Sequence, residues 1–171
     1  LAIQQVINRR RLARGDRPVG FKIGFTNRTI WPIYGVHAPI WAPVWHGTVH
    51  DAPDARFDAS AIVPRLNRPR LEPENVLGLR AVPAGYDPAA GAPSAPVLAE
   101  LEAAIDWVAH GFELVQSPWP VWKFGAGQAM ASQSLHGALI VGPRRQVRQA
   151  RGLAAALSAL TIALHKNDEA E

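Results

Sequence analysis

Hydrophobic residues recur along this chain at two spacings, and each spacing predicts its own set of elements. A spacing of three or four predicts a helix over residues 2–14, which carries Ile3, Val6, Ile7 and Leu12 and stops at Gly15. The same spacing predicts a helix that begins near Pro96 and a last helix through 153–160. The apolar stripe of the helix near Pro96 comprises Val97, Leu98, Leu101, Ile105 and Val108.

Alternating or continuous apolar runs predict strands at 19–26, 60–66, 71–80, 111–117 and 137–142. Prolines interrupt 38–50, which predicts a loop with short strands, and 83–96 is so rich in Pro, Gly and Ala that it predicts a surface loop. We expect an α+β fold that is mainly mixed β, formed by one domain over residues 1–171.

Composition describes a soluble globular protein, with 48% hydrophobic and 19% charged residues. The chain has no cysteine, which excludes disulfides, thiolate zinc sites and a cysteine nucleophile. It is also compatible with a reducing cytosol, so we expect a cytoplasmic protein. No apolar run approaches the ~20 residues that cross a bilayer, so we expect no membrane partner.

The formal net charge of +4 comes from local arginine clusters at 9–14 and 144–151. Such clusters fit either a nucleic-acid surface or a solvated helix face. No recognised nucleic-acid motif accompanies them, which favours the solvated face. We therefore expect no nucleic-acid partner.

Two glutamates, Glu72 and Glu74, flank Pro73 in a predicted strand. Strand side chains alternate, so both carboxylates point to the same face and repel unless a cation or proton lies between them. Pro73 cannot donate a ladder hydrogen bond, which places it at an edge or a strand end. Two interpretations remain: a cation site, or a solvated edge strand whose charges discourage aggregation.

Glu113 and Lys22 are charged residues inside apolar strand patterns. A lone carboxylate such as Glu113 requires a metal or an ion pair, for which an arginine is the alternative partner. Lys22 lies between Phe21 and Ile23, where a snorkelling lysine is the alternative to a functional one. Three carboxylates without cysteine describe an oxygen site suited to Mg²⁺ or Mn²⁺.

The histidines divide into two groups. His37, His46 and His50 fall in one loop region, but their spacing matches no helix or strand pair that would converge them, which favours ordinary loop histidines over a metal triad. His136 precedes the strand "GALIVG" and is the better candidate for a pocket wall.

Four stretches together resemble one family. They are "GDRPVGFKIGFTN" (15–27), "PRLEPENVLGL" (69–79), "GFELVQSPWPVWKF" (111–124) and "LHGALIVGP" (135–143). In this order they resemble the 2-keto-4-pentenoate hydratase / 2-oxo-hepta-3-ene-1,7-dioate hydratase branch of the fumarylacetoacetate hydrolase superfamily. The resemblance covers nearly the whole chain and implies that superfamily's β-rich fold with a few peripheral helices.

The resemblance implies site residues. The family's E-x-E falls on Glu72 and Glu74 and its third carboxylate on Glu113, and these would hold Mg²⁺ or Mn²⁺. Its lysine falls on Lys22, which would bind substrate charge or assist proton transfer. Ser117 and His136 would contact the substrate.

The implied reaction is a hydration in the breakdown of aromatic compounds. The metal chelates the carboxylate and 2-oxo group of a 2-hydroxypenta-2,4-dienoate and stabilises the enolate, and water addition gives 4-hydroxy-2-oxopentanoate. The family's habit also implies a homo-oligomer.

Several departures from the family keep alternatives open. Gln116 stands where an Asp commonly precedes the Ser, "GAGQAMASQS" (125–134) replaces an acidic or Asn-bearing stretch, and His37 replaces an acidic residue. Family members are longer, so we expect a catalytic domain truncated at both ends. The alternatives are a 2-oxo-3-enedioate (4-oxalocrotonate-type) decarboxylase and a catalytically silent homologue that acts as a binding or assembly subunit.

Overall fold

The structure, a computed structural model, describes residues 2–81, 95–147, 152–167 and 169–170. Most of the predicted 83–96 loop, together with Arg148 and Arg151, lies outside these ranges. The helices are α1 (Ala2–Ala13), α2 (Trp31–Tyr34), α3 (Ala95–Ala104), α4 (Ala126–Ala131) and α5 (Leu153–Ser158). The strands are β1 (Pro18–Gly24), β2 (Ile40–Trp45), β3 (Val49–Asp51), β4 (Arg70–Leu79), β5 (Ile105–Val115), β6 (His136–Val141), β7 (Arg145–Gln146), β8 (His165–Lys166) and β9 (Glu169–Ala170).

A mixed sheet forms the centre of the molecule. Its strand order is β3-β6-β5-β4, and β7 also pairs with β5. β3 runs parallel to β6, whereas the other pairs in this sheet are antiparallel. This mixed sheet with few helices confirms the predicted fold class.

One face of the central sheet packs an apolar core. Leu114 of β5 lies opposite Ala138 of β6, and both are buried together with Ile140 and Ala52. The segment between β3 and β4 covers them with Ala59, Ile62 and Leu66. Because strand side chains alternate, the residues between these, Glu113 among them, point to the opposite face.

A separate antiparallel hairpin, β1-β2, supplies the lysine. Lys22 lies opposite Ala42, and its neighbours Phe21 and Ile23 point the other way and are exposed. The amide of Gln4 in α1 donates to the carbonyl of Trp41 at 2.9 Å, which ties the first helix to the hairpin. The hairpin thus directs Lys22 away from its exposed apolar face.

Two sequence predictions are wrong. The segment 60–66 is not a strand but contains a 3-10 helix, Val63–Arg65, in which Pro64 fixes φ and offers no ladder donor. The helix after the 83–96 segment ends at Ala104, and its predicted stripe residues Ile105 and Val108 belong to β5. Pairing with β4 along nearly all of β5 outweighs the helical spacing of these apolar residues.

No helix in the described ranges has both the length and the apolar character needed to span a membrane.

Candidate metal centre

Three glutamates converge on the face of the sheet opposite the apolar core. Alternation along β4 places Glu72 and Glu74 on one face, and the β4-β5 register places Glu113 directly across from Glu72. One carboxylate oxygen from each lies within 4.8 Å of the other two. Like charges opposite one another destabilise a strand pair, so this arrangement requires positive charge nearby or a proton on one of the carboxylates.

Lys22 supplies part of that positive charge. Its Nζ lies 2.8 Å from Oε2 of Glu113, and the two side chains are only 9% and 3% exposed. Lys22 is therefore a buried ion-pair partner rather than a snorkelling residue. The pair also differs from the arginine partner that the sequence offered as an alternative for Glu113.

His136 holds the other oxygen of Glu113. Its Nδ1 lies 2.6 Å from Oε1 of Glu113, and its Nε2 lies 2.8 Å from the Thr48 hydroxyl. That hydroxyl also lies 2.8 Å from the Trp45 carbonyl, to which it can donate. Both ring nitrogens of His136 thus face protein groups, while its predicted contact with substrate stays a prediction.

Thr48 is a site residue that the sequence did not reveal. It lies in a short 3-10 helix, His46–Thr48, and is 88 residues from His136 in the chain. The parallel pairing of β3 with β6 brings the two residues together. No local motif around Thr48 could have indicated this contact.

The carboxylates have unequal proton affinities. Burial raises the pKa of Glu113, but the His136 hydrogen bond and the Lys22 charge outweigh it and hold that pKa below its ordinary value. Burial and then the Glu113 charge raise the pKa of Glu74 to about 7, against the opposing charge of Lys22. Burial also raises the pKa of Glu72, again opposed by Lys22. Glu113 is thus the carboxylate that keeps its charge most firmly, and Glu74 is the one that takes up a proton most readily.

The other predicted residues lie in different settings. Ser117 is buried, and its hydroxyl accepts from the backbone N–H of Trp119 at 3.1 Å and lies 3.2 Å from the Trp119 carbonyl. Its hydroxyl thus closes a local turn, and its contact with substrate stays a prediction. Over the described residues His37, His46 and His50 do not converge on a metal site. Two of them are not loop residues, however, because His46 begins the 3-10 helix His46–Thr48 and His50 belongs to β3.

Two clefts lie elsewhere on the molecule. One, of about 270 Å³, is lined by Asp51, Pro53, Val141, Gly142 and Arg144. The other, of about 170 Å³, is lined by Asn67, Gln116, Pro118 and Ser132. Neither cleft is lined by Glu72, Glu74 or Glu113. The carboxylate cluster is therefore separate from both clefts.

Comparisons with known proteins give related enzymes. No protein-family model matches the chain. The chain is 31% identical over 133 residues to a 2-hydroxypent-2,4-dienoate hydratase of Pseudomonas putida. The aligned residues cover 78% of this chain and 54% of the relative. The chain thus spans about half the length of that relative.

Solved structures give a second kind of relative. The fold matches 4-oxalocrotonate decarboxylase from Pseudomonas putida G7, complexed with magnesium and adipate, with a TM-score of 0.64 and 26% identity over 81% of this chain and 48% of that chain. A form of the same enzyme complexed with calcium and acetate matches with a TM-score of 0.62 and 25% identity over 81% of this chain and 47% of that chain.

Proposed function

Because the chain belongs to the hydratase and decarboxylase branch of the fumarylacetoacetate hydrolase superfamily, we propose that it forms the divalent-metal site of an enzyme of aromatic-compound breakdown. The observation that carries the proposal is the convergence of Glu72, Glu74 and Glu113 within 4.8 Å. The substrate is a small 2-oxo or 2-hydroxydienoate acid. The reaction is the addition of water to a 2-hydroxypenta-2,4-dienoate-type acid to give a 4-hydroxy-2-oxo acid.

The chemistry of the cluster fits Mg²⁺ or Mn²⁺. Its ligands are carboxylate oxygens, which these hard cations prefer over nitrogen or sulfur. Burial, together with the neighbouring Glu113 charge, raises the pKa values of Glu72 and Glu74, and a bound cation would favour their ionised forms. Glu72, Glu74 and Glu113 would hold the ion, which when bound would supply Lewis-acid stabilisation of a developing enolate.

Lys22 has a role that its geometry supports. A buried ammonium next to the carboxylates can bind a substrate carboxylate or hand over a proton at Nζ. The ion pair with Glu113 holds Nζ at 2.8 Å from the cluster, so Lys22 reaches the place where substrate would meet the ligands. We assign it the catalytic role.

His136 fits a positioning role best. Through Nδ1 it fixes one oxygen of Glu113, while Thr48 fixes the ring through Nε2. Hydrogen bonds to the side chains that bind a metal fix the orientation of those side chains, and loss of such a hydrogen bond typically lowers metal affinity. His136 therefore sets the direction of the Glu113 carboxylate, which the Lys22 ammonium contacts from the other side.

A 2-oxo-3-enedioate decarboxylase is the second candidate function. The fold match to 4-oxalocrotonate decarboxylase favours it. Its substrate class carries a second carboxylate, which the hydratase substrate lacks. The two reactions are separated by incubating the metal-loaded protein with each substrate and measuring product formation, since only decarboxylation releases CO₂.

Calorimetric titration of the metal-stripped protein with Mn²⁺ tests the metal site. We expect saturable binding of about one ion per chain that the Glu74→Gln substitution weakens at least tenfold. Glu100→Gln is the matched control, because Glu100 is exposed on α3 and is not part of the carboxylate cluster. Absence of Mn²⁺ binding in folded protein would contradict the proposal and favour a silent binding or assembly subunit.

A further inference from the structure

The segment just before β6 has an unusual backbone. Gln133, Ser134 and Leu135 have φ of +58°, +51° and +66°, the longest run of positive φ among non-glycine residues in the described part of the chain. Residues other than glycine rarely adopt this left-handed conformation. They keep it only where neighbouring contacts fix them, and such residues tend to occur at functional sites. We call residues 133–135 the left-handed turn; the next residue is His136.

Gln133 is the residue whose side chain holds the left-handed turn. Its amide nitrogen donates to Oδ1 of Asn8 in α1 at 3.1 Å, and its amide oxygen accepts from the indole N–H of Trp45 in β2 at 3.2 Å. Ser134 is 2% exposed, and over the described residues its hydroxyl has no hydrogen-bond partner. Leu135 has no polar side-chain atom. Gln133 therefore supplies the side-chain hydrogen bonds that fix the turn.

Trp45 connects the left-handed turn to the imidazole of His136. Trp45 is 2% exposed, so its ring is a fixed partner for the Gln133 amide. Its backbone carbonyl lies 2.8 Å from the Thr48 hydroxyl, which in turn lies 2.8 Å from Nε2 of His136. His136 is thus held from two sides, because its backbone continues from the turn and its ring contacts Thr48.

The position of His136 determines the direction of the Glu113 carboxylate. Nδ1 of His136 lies 2.6 Å from Oε1 of Glu113, and both side chains are 3% exposed. A displacement of the left-handed turn would move the imidazole, and the carboxylate would then lose the hydrogen bond that fixes one of its oxygens. Gln133 also lies within 125–134, the stretch in which this chain departs from the family's acidic or Asn-bearing residues.

We propose that Gln133 is a positioning residue of the carboxylate cluster. By holding the left-handed turn it fixes His136, which directs Glu113 toward the cation. This inference rests on the proposed metal site and deepens it, because it extends the set of residues that determine metal affinity to the contact between α1, β2 and the left-handed turn.

Calorimetric titration of metal-stripped Gln133→Met with Mn²⁺ tests the proposal. Methionine keeps the length of the side chain and removes both of its hydrogen bonds. We expect about threefold to tenfold weaker binding by the folded variant, because Gln133 acts on the ligand through another residue. Gln5→Met is the matched control, since Gln5 is exposed on α1.

A His136→Ala background separates positioning from a purely structural role. If Gln133 acts through His136, Gln133→Met should weaken Mn²⁺ binding by less than about twofold once the imidazole is absent. A purely structural role would lower the melting temperature in both backgrounds and leave this difference in affinity out. An equal loss of affinity in both backgrounds would overturn the proposal.

Hydrogen exchange provides a readout in the metal-free protein. The backbone N–H of Gln116 donates to the Leu135 carbonyl at 2.8 Å, so its exchange rate reports on the left-handed turn. Gln133→Met should accelerate this exchange about tenfold, whereas Gln5→Met should not change it. Asn8→Ala removes one of the two hydrogen bonds of Gln133 without weakening α1, and it should have a smaller effect in the same direction.

The outcomes distinguish this inference from the proposed function. Unchanged Mn²⁺ affinity or unchanged Gln116 exchange in folded Gln133→Met would overturn the positioning role and leave the metal site intact. If Gln133→Met does not fold, Asn8→Ala takes its place in the same measurements, and unchanged Mn²⁺ affinity there would overturn the role. Failure of the folded wild type to bind Mn²⁺ would overturn the proposed metal site together with this inference.

Discussion

Glu113 and Leu114 are neighbours in β5 and belong to opposite faces of one sheet. Both are nearly inaccessible, at 2% and 5% exposure. Leu114 packs among apolar residues, whereas Glu113 lies between Lys22 and His136. The same strand thus buries an apolar side chain on one side and a charged network on the other.

The difference shows what each face contributes. Burial of Leu114 removes apolar surface from water and stabilises the fold without further requirements. Burial of Glu113 is favourable only while its partners remain, because an unpaired buried charge is strongly destabilising. The apolar face should therefore tolerate changes that preserve volume, while the charged face should tolerate few changes at all.

Removal of the Glu113 carboxylate should have the largest effect, because it should lower both the stability of the fold and the affinity for metal. Glu113→Ala leaves the Lys22 ammonium buried without its partner, which typically costs about 3–5 kcal/mol of stability. It should also reduce Mn²⁺ affinity at least tenfold. Urea unfolding and calorimetry measure the two effects. A double variant with Lys22→Ala should recover part of the lost stability, and simple additivity of the two substitutions would contradict the coupling.

The neighbouring residue should affect stability alone. Leu114→Ala opens space in the apolar core, and such substitutions cost about 2–5 kcal/mol. The same urea and Mn²⁺ measurements apply, now with the metal affinity of the folded variant expected within about twofold of wild type. A large loss of affinity in folded Leu114→Ala would mean that the two faces are not independent.

Protonation of Glu74 should make stability depend on pH. Its pKa rises from 4.5 to about 7 on folding, so the folded metal-free protein retains a proton that the unfolded chain releases. This contribution is complete below about pH 4.5 and is lost as the pH rises through about 7. Glu74→Gln imitates the protonated carboxyl. Its stability relative to wild type should therefore increase between about pH 5 and pH 8.

Urea unfolding of both proteins in EDTA measures the pH effect, because chelation keeps metal from replacing the proton. The difference between wild type and Glu74→Gln isolates this carboxyl from other groups that titrate in the same range. A difference that stays constant across the range would contradict the raised pKa.

The strand alternation at Glu72 and Glu74 was predictable because it follows from the covalent geometry of an extended chain. The same rule places Arg70 on their face, a consequence available from the residues "RLEPE" alone. Glu113 is different. Its position across from Glu72 depends on the register of two strands far apart in sequence, and only the family resemblance indicated it.

Other features depend on long-range pairing that no local pattern encodes. Ile105 and Val108 continue a helical stripe, yet they become strand residues because β4 offers a pairing edge. Thr48 reaches His136 only through the parallel β3-β6 pair. The spacing of apolar residues predicted an element correctly where burial of one face of that element determines its structure. It failed where hydrogen-bonded pairing with a distant strand determines the structure.

The smallest effect should come from Thr48, which reaches the carboxylate cluster through His136. Thr48→Val removes the hydroxyl on Nε2 of His136, and loss of one such hydrogen bond costs about 1 kcal/mol. If His136 positions Glu113, the change should lower Mn²⁺ affinity about threefold to tenfold, because the carboxylate loses its fixed direction. Thr161→Val, at an exposed position outside the site, is the control for calorimetry and thermal melting. Reduced stability with unchanged Mn²⁺ affinity would assign Thr48 and His136 to packing alone, whereas reduced affinity would extend the charged face of the sheet as far as Thr48.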